Sequence, residues 1–261
     1  MINFQLLKSY IKHRLTAKTR HGVHSPFVYH LIDKVIYDFK PRSDYRDIEL
    51  LRHQLLKDKR YITITDLGAG SHINNNKQKQ IKQLAKNALK TPKLAQLIYR
   101  LVNEFKPANS IELGTCLGLT TSYLAKAVPE GRIISIEGCP ETAAVARENL
   151  KSLHIENASI VTGNFDSVLL DVIADLPSLD LVFIDGNHRK EATLDYFEAC
   201  LPKVNENTVL IFDDIYWSKG MEEAWVKIKA HSEVTVTVDL FWIGLVFFRK
   251  GQVKEDFKVK F

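Results

Sequence analysis

The sequence predicts an α/β fold: a doubly wound, mostly parallel sheet of seven strands that ends in an antiparallel hairpin, preceded by a mainly α-helical N-terminal extension. Three observations carry this. After Pro107, short β-branched runs alternate with amphipathic segments, the pattern of consecutive βαβ units around a parallel sheet. The last two strand-like runs are separated by too few residues for a crossover helix, so they pair as a hairpin. Charge also changes sign along the chain. Residues 1–103 carry 20 Lys+Arg against 7 Asp+Glu, or +13, and the remainder carries 16 against 24, or −8. The expected division is therefore a basic extension over 1–104, serving as a lid, substrate or dimer region, and a ligand-binding domain over 105–261.

In the extension, apolar residues recur at helical spacing from Phe4 to Leu15 and from Ser25 to Tyr37, with His24 and Ser25 before Pro26 reading as a helix start. A short strand, 61–65, runs into Asp66-Leu-Gly68-Ala-Gly70 and a polar loop. The basic segment 77–105 reads as helix, broken near Thr91-Pro92 because proline lacks the amide donor. In the second region, strands are expected at 110–113, 133–137, 159–162, 181–185 and 209–212. Helices are expected at 120–127, 141–153, 165–174, 190–201 and 219–230. The hairpin is expected from 233–239 and 242–249.

Composition excludes several classes of function. No apolar run approaches the ~20 residues of a membrane span, and the N-terminus lacks the apolar core of a secretory signal, so a cytoplasmic location is expected. Cys116, Cys139 and Cys200 stand in no paired spacing, which argues against a disulfide framework or a zinc site. The basic half favours an anionic partner such as nucleic acid, or else forms a solvated lysine-rich face; no groove-reading motif accompanies it. The apolar run 240–248 and the N-terminal helices would either support a homodimer or be buried within one chain.

Two segments compete as a glycine-rich cofactor loop, Asp66-Leu-Gly68-Ala-Gly70 and Glu112-Leu-Gly114-Thr115-Cys-Leu-Gly118. Such a loop needs a preceding strand, a following helix, and an acid at the end of the next strand to accept hydrogen bonds from ribose hydroxyls. No Asp or Glu lies between residues 67 and 103, whereas Glu137 ends the strand after the second loop. The second loop is therefore the cofactor loop, its glycines allowing a tight turn and its helix N-terminus favouring a carboxylate. The Gly114-x-x-x-Gly118 spacing departs from GxGxxG, which disfavours a nicotinamide cofactor.

Glu112-x-Gly-Thr-x-x-Gly118, then Glu137-Gly138, Gly163-Asn164-Phe165 and Val-Phe-Ile-Asp185-Gly resemble the successive motifs of class I S-adenosylmethionine-dependent methyltransferases. Within that class the chain is most similar to the cation-dependent small-molecule O-methyltransferases, over about 150 C-terminal residues. The resemblance implies S-adenosylmethionine as cofactor and a small hydroxylated acceptor. It implies that Gly114, Thr115 and Gly118 line the methionine portion, that Glu137 holds the ribose, and that Asn164 and Phe165 flank adenine, with Glu112, Gly138 and Asp185 also among the cofactor-binding residues and Asp185 among the catalytic ones. The alternatives are RNA methylation, docked on the basic half, for which the Asn/Asp-Pro-Pro-Tyr motif of amino-group methylation is absent, and a non-catalytic or nicotinamide-binding Rossmann-like domain.

Asp185 ends the fourth strand and Asp213-Asp214 the fifth, at the carboxyl edge where open α/β sheets bind ligands. Converging carboxylates repel one another, and a hard divalent cation such as Mg²⁺ relieves that repulsion. Asp213 and Asp214 would otherwise cap the following helix. His188, three residues after Asp185, is the candidate general base, where catechol-type relatives carry lysine; Asn187 stands where some sugar-modifying relatives carry an acid. Lys190 and Lys219 are weaker candidates. Tyr216 and Trp217 would wall a substrate pocket or pack in the core. His21, His24, Pro26, Phe27, Tyr29 and His30 would lie over the cleft as a lid.

Overall fold

The computed structural model describes residues 4–65 and 77–261. In chain order it begins with helix α1 (Phe4–Thr16), α2 (Pro26–His30, continued by wider helical turns over Leu31–Ile36), α3 (Ser43–Leu55), strands β1 (Tyr61–Ile64) and β2 (Lys77–Gln80), and helices α4 (Ile81–Ala88) and α5 (Pro92–Phe105). Strands and helices then alternate: β3 (Asn109–Leu113), α6 (Leu119–Ala127), β4 (Arg132–Glu137), α7 (Pro140–Ser152), β5 (Ala158–Thr162), α8 (Phe165–Ala174), β6 (Leu181–Ile184), α9 (Lys190–Cys200), β7 (Val209–Asp213) and α10 (Lys219–Ala230). The chain closes with β8 (Val236–Asp239), β9 (Ile243–Phe247) and β10 (Glu255–Lys258). The seven expected strands are β3 to β9, and β10 is an eighth. The Asp66–Gly70 candidate loop falls outside the described residues.

These elements form two compact units, Phe39–Pro177 and Met1–Asp38 with Ser178–Phe261. In the first, β3, β4 and β5 pair in parallel, with Glu112 opposite Ser135 and Glu137 opposite Thr162. Their inward residues Ile111, Leu113, Ile133 and Ile136 are fully buried. Helix α5 packs on α6 through Leu97, Ile98, Leu101 and Val102, each worth roughly 1.5–3 kcal/mol on burial.

The basic segment 77–105 is broken at Thr91-Pro92 as expected, but it is not helical throughout. Residues 77–80 pair antiparallel with 61–64, and Thr91 and Pro92 open a new helix instead of bending an old one. Thr91 accepts a hydrogen bond from the Leu94 amide, and proline at the first helical position leaves no donor unsatisfied there. Helix α3 has no counterpart in the sequence reading. It packs on α6, where the Tyr123 hydroxyl donates to Glu49 at 2.6 Å.

In the second unit the strand order is β10-β8-β9-β7-β6. Strands β6 and β7 are parallel, and β9 runs antiparallel to both β7 and β8, as the short 240–242 connection requires. Phe241 and residues 243–247 are buried in the chain itself. Strand β10 adds parallel to β8 at the edge, and the bridge between Lys18 and Val259 ties it to the N-terminal segment. Ser25 caps α2 as expected, accepting from the Val28 amide.

Candidate active site

The turn between β3 and α6 is built around Glu137. Gly114 has φ 103°, Cys116 φ 49° and Gly118 φ 76°, so three of five consecutive positions lie in the left-handed region. A Cβ on Gly118 would meet that of Ala146 at 3.1 Å, a second reason for glycine there. The Gly114 and Thr115 amides both donate to the Ile136 carbonyl, at 3.0 and 3.3 Å, and Asn149 donates to the Leu117 carbonyl at 2.8 Å. Glu137 then closes the arrangement, its two oxygens accepting from the Cys116 amide at 2.7 Å and the Cys139 amide at 2.9 Å. Burial pushes its carboxyl above the ordinary value, and the amides of Cys139, Cys116 and Gly138 offset only part of that effect. The carboxylate is oriented before any ligand arrives.

Glu112 lies beneath this turn, fully buried, with one oxygen accepting from the Thr121 and Ser135 hydroxyls, both at 2.5 Å. Thr115 is buried as well, its hydroxyl 2.5 Å from that of Ser135. These two predicted cofactor residues thus belong to a hydroxyl–carboxylate network under the loop. Asn164 is exposed at the start of α8, where its side-chain oxygen accepts from the Asp166 amide, and Phe165 beside it is half-buried. The signal for Ser135, Thr121 and Asn149 is small: a polar residue inside a mostly apolar strand, and one on each of the helices before and after it.

The second unit holds the acidic cluster. Ligand atoms of Asp185, His188 and Asp213 all lie within 4.8 Å of one another. Asp213 is buried at the end of β7, while Asp185 and His188 are half-buried, with His188 Nε2 3.7 Å from Asp185 Oδ1. Two carboxylates and an imidazole in that geometry suit a divalent cation. Asp214, the third carboxylate expected in the set, is not in this group of three: its backbone is left-handed at φ 53° and its amide donates to the Trp242 carbonyl at 2.8 Å. Asn187 is turned to other partners, donating to the Tyr196 hydroxyl and accepting from Arg189. Lys190 is paired with Glu223.

A polar triad unforeseen from sequence stands behind the loop after β7. The Tyr216 hydroxyl donates to Asp239 at 2.6 Å, His13 from α1 lies 3.1 Å from the other Asp239 oxygen, and the Phe241 amide also donates to it. Burial pushes the Asp239 carboxyl upward, but the hydrogen bonds from His13 and Tyr216 and the nearby His13 charge outweigh it and hold the group below its ordinary value. Tyr216 stacks on Phe241 with centroids 4.9 Å apart, so it is a packed residue; Trp217 is exposed. Phe27 packs on Phe247 beneath Arg249, and Phe247 pairs with Val209, at the opposite end of β7 from Asp213. Cys200 is fully buried, which pushes its thiol up to about 12.

A family model described as a methyltransferase domain matches residues 111–215. A catechol O-methyltransferase from Niastella koreensis is 28% identical over 128 residues, covering 48% of this chain and 57% of that one. Another from Mycobacterium tuberculosis is 28% identical over 147 residues, covering 52% and 64%. The chain thus aligns with less than two thirds of the length of these relatives. Among solved structures, the O-methyltransferase from Bacillus cereus in complex with SAH superposes with a TM-score of 0.55 at 19% identity, covering 81% of this chain and 93% of that one. TomG from Streptomyces achromogenes, in complex with SAM, gives 0.56 at 16% identity, covering 89% and 99%. Residues 111–215 are thus similar to a methyltransferase domain, and O-methyltransferases are among the relatives of the chain.

Proposed function

We propose that the protein is an S-adenosylmethionine-dependent O-methyltransferase acting in the cytoplasm on a small hydroxylated acceptor. The observation that carries this reading is Glu137, fixed by the Cys116 and Cys139 amides at the end of the strand that follows a left-handed glycine turn. Each oxygen keeps a lone pair for a ribose hydroxyl. Gly114, Thr115 and Gly118 shape the turn that receives the methionine portion, with Glu112 bracing it from below. Asn164 and Phe165 supply the adenine side, Asn164 through its amide and Phe165 through its ring face, and Gly138 follows Glu137 in the cofactor site. S-adenosylmethionine, when bound, supplies a sulfonium methyl group open to in-line attack by the acceptor oxygen.

Asp185, Asp213 and Asp214 are the proposed holders of a divalent cation, which when bound would orient an acceptor hydroxyl and lower its pKa. His188 then takes the proton from that hydroxyl at Nε2. The close grouping of His188 with Asp185 and Asp213 favours a second reading, in which His188 itself replaces Asp214 as the third ligand. Mn²⁺ binding by the His188→Gln variant separates the two: as base, the variant loses turnover and keeps Mn²⁺ affinity; as ligand, it loses both.

Calorimetric titration with S-adenosylmethionine, S-adenosylhomocysteine and NAD, with and without Mg²⁺, tests the function. Binding of the first two, lost in Glu137→Ala, is the expected result; binding of NAD alone, or of none, would overturn the reading.

A further inference from the structure

Helix α1 packs one face through polar bonds and leaves an apolar face uncovered. Its inner face carries Leu6, Ser9 and His13: Ser9 donates to Glu222 at 2.8 Å, and buried His13 meets Asp239. The opposite face carries Phe4, Leu7, Ile11 and Leu15, at the three- and four-residue spacing that forms one stripe along a helix. Their side chains are 81%, 44%, 51% and 80% exposed. Lys8 and Lys12 flank this ridge on one side and Arg14 on the other, none of them paired with a carboxylate among the described residues. At the hairpin turn Trp242, 42% exposed, lies beside Tyr10 and extends the apolar surface with an amphipathic ring. Helix α1 spans 13 residues, and among the described residues no helix is long and apolar enough to cross a membrane.

We infer that α1 is an interfacial helix that seats the protein on an anionic lipid surface, its ridge entering the acyl boundary and its flanking cations meeting the headgroups. Charge decides between this occupant and a second copy of the chain. No Asp or Glu precedes Asp33, so two α1 helices laid ridge to ridge would set Lys8, Lys12 and Arg14 against like charges with no counterion on either helix. An anionic bilayer supplies both the apolar layer and the complementary charge. The inner-face contacts hold the helix preformed, so binding does not have to meet the cost of folding it.

The test is co-sedimentation of the full chain with vesicles of phosphatidylcholine alone and with phosphatidylglycerol added, at low and high salt, beside analytical ultracentrifugation without lipid. The expected result is binding to the phosphatidylglycerol vesicles that weakens with salt, is about tenfold or more weaker in Leu7→Glu/Ile11→Glu, and falls about fivefold for each of Lys8, Lys12 and Arg14 changed to Gln. The Gln changes leave the ridge and the inner face intact, and so report on lipid even if the Glu pair disturbs folding. Absence of binding to either vesicle, or binding unchanged by the Gln substitutions, overturns the inference. A lipid-independent dimer that Leu7→Glu/Ile11→Glu converts to monomer overturns it in favour of a second copy.

Discussion

Glu137, half-buried at the end of β4, and Asp239, buried at the end of β8, are both acids at strand ends, and their carboxyls are displaced in opposite directions. The difference lies in their partners. Glu137 receives only neutral backbone amides, which do not fully replace water around a charge. Asp239 receives an imidazole and a phenol besides an amide, and the imidazole can carry a charge of its own. Burial alone therefore does not set the protonation of an acid in this protein. What it faces does. One carboxylate is held ready at some cost in stability and the other is stabilising, the pattern expected of a ligand site and a structural joint respectively.

Removing the imidazole is the strongest way to break the contrast. His13→Ala leaves the buried Asp239 carboxylate without the imidazole beside it and should lower stability by about 3 kcal/mol, read as a shift of the urea midpoint at neutral pH. Because the folded-state value of Asp239 is depressed, its contribution is present above the unfolded value near ~3.9 and is lost as pH falls through the folded value. The difference between wild type and His13→Ala should thus shrink on acidification; a difference independent of pH would separate His13 from Asp239.

Glu137→Gln should weaken S-adenosylmethionine binding about hundredfold by calorimetry, since hydrogen bonds from ribose hydroxyls to a charged acceptor are lost. The same substitution should leave the unliganded protein as stable or more so at neutral pH, because the buried charge is gone. The sign here is opposite to that of Asp239. A raised folded value gives stability that is present below the unfolded value near ~4.3 and is lost as pH rises through the folded value, so the advantage of Gln should grow with pH.

Smaller effects sharpen the comparison. Tyr216→Phe removes one donor to Asp239 and should cost about 2 kcal/mol in the same urea experiment, while leaving cofactor affinity unchanged. Gly118→Ala puts a Cβ at φ 76° against Ala146 and should cost about 1 kcal/mol, with a matching loss of cofactor affinity as the turn shifts. Unchanged affinity there would mean that Gly118 serves packing with Ala146 and not the ligand.

Much of the fold was legible in the sequence because parallel strands buried on both faces read as β-branched runs, and the helices between them carry one apolar face. Helix α10 falls at Lys219–Ala230 as expected, capped by Ser218, and strands β3 to β7 lie within one residue of expectation at either end. The misreadings sit where local pattern is silent. Residues 77–80 are Lys-Gln-Lys-Gln, polar throughout, and become a strand only because 61–64 pairs with them. Helix α3 and strand β10 are polar enough to pass for connections, and α3 is held by tertiary bonds such as Tyr123 to Glu49.

The site divides in the same way. Glu137 could be found from sequence because a short-range rule, an acid at the end of the strand after a glycine turn, puts it there. Which groups come together could not: ligand atoms of Asp185, His188 and Asp213 meet within 4.8 Å, across 28 positions of sequence, in a group that does not include Asp214. The joint of His13, Tyr216 and Asp239 joins residues 226 positions apart at its widest, and in sequence His13 is one more polar residue on a basic helix. Strand and helix order, the glycine turn and its acid follow from patterns a few residues long, so the sequence by itself determined them. The opposite displacement of the Glu137 and Asp239 carboxyls, the meeting of Asp185 and Asp213 with His188, and the burial of one face of α1 depend on neighbours brought from elsewhere in the chain, so only the tertiary structure decided them.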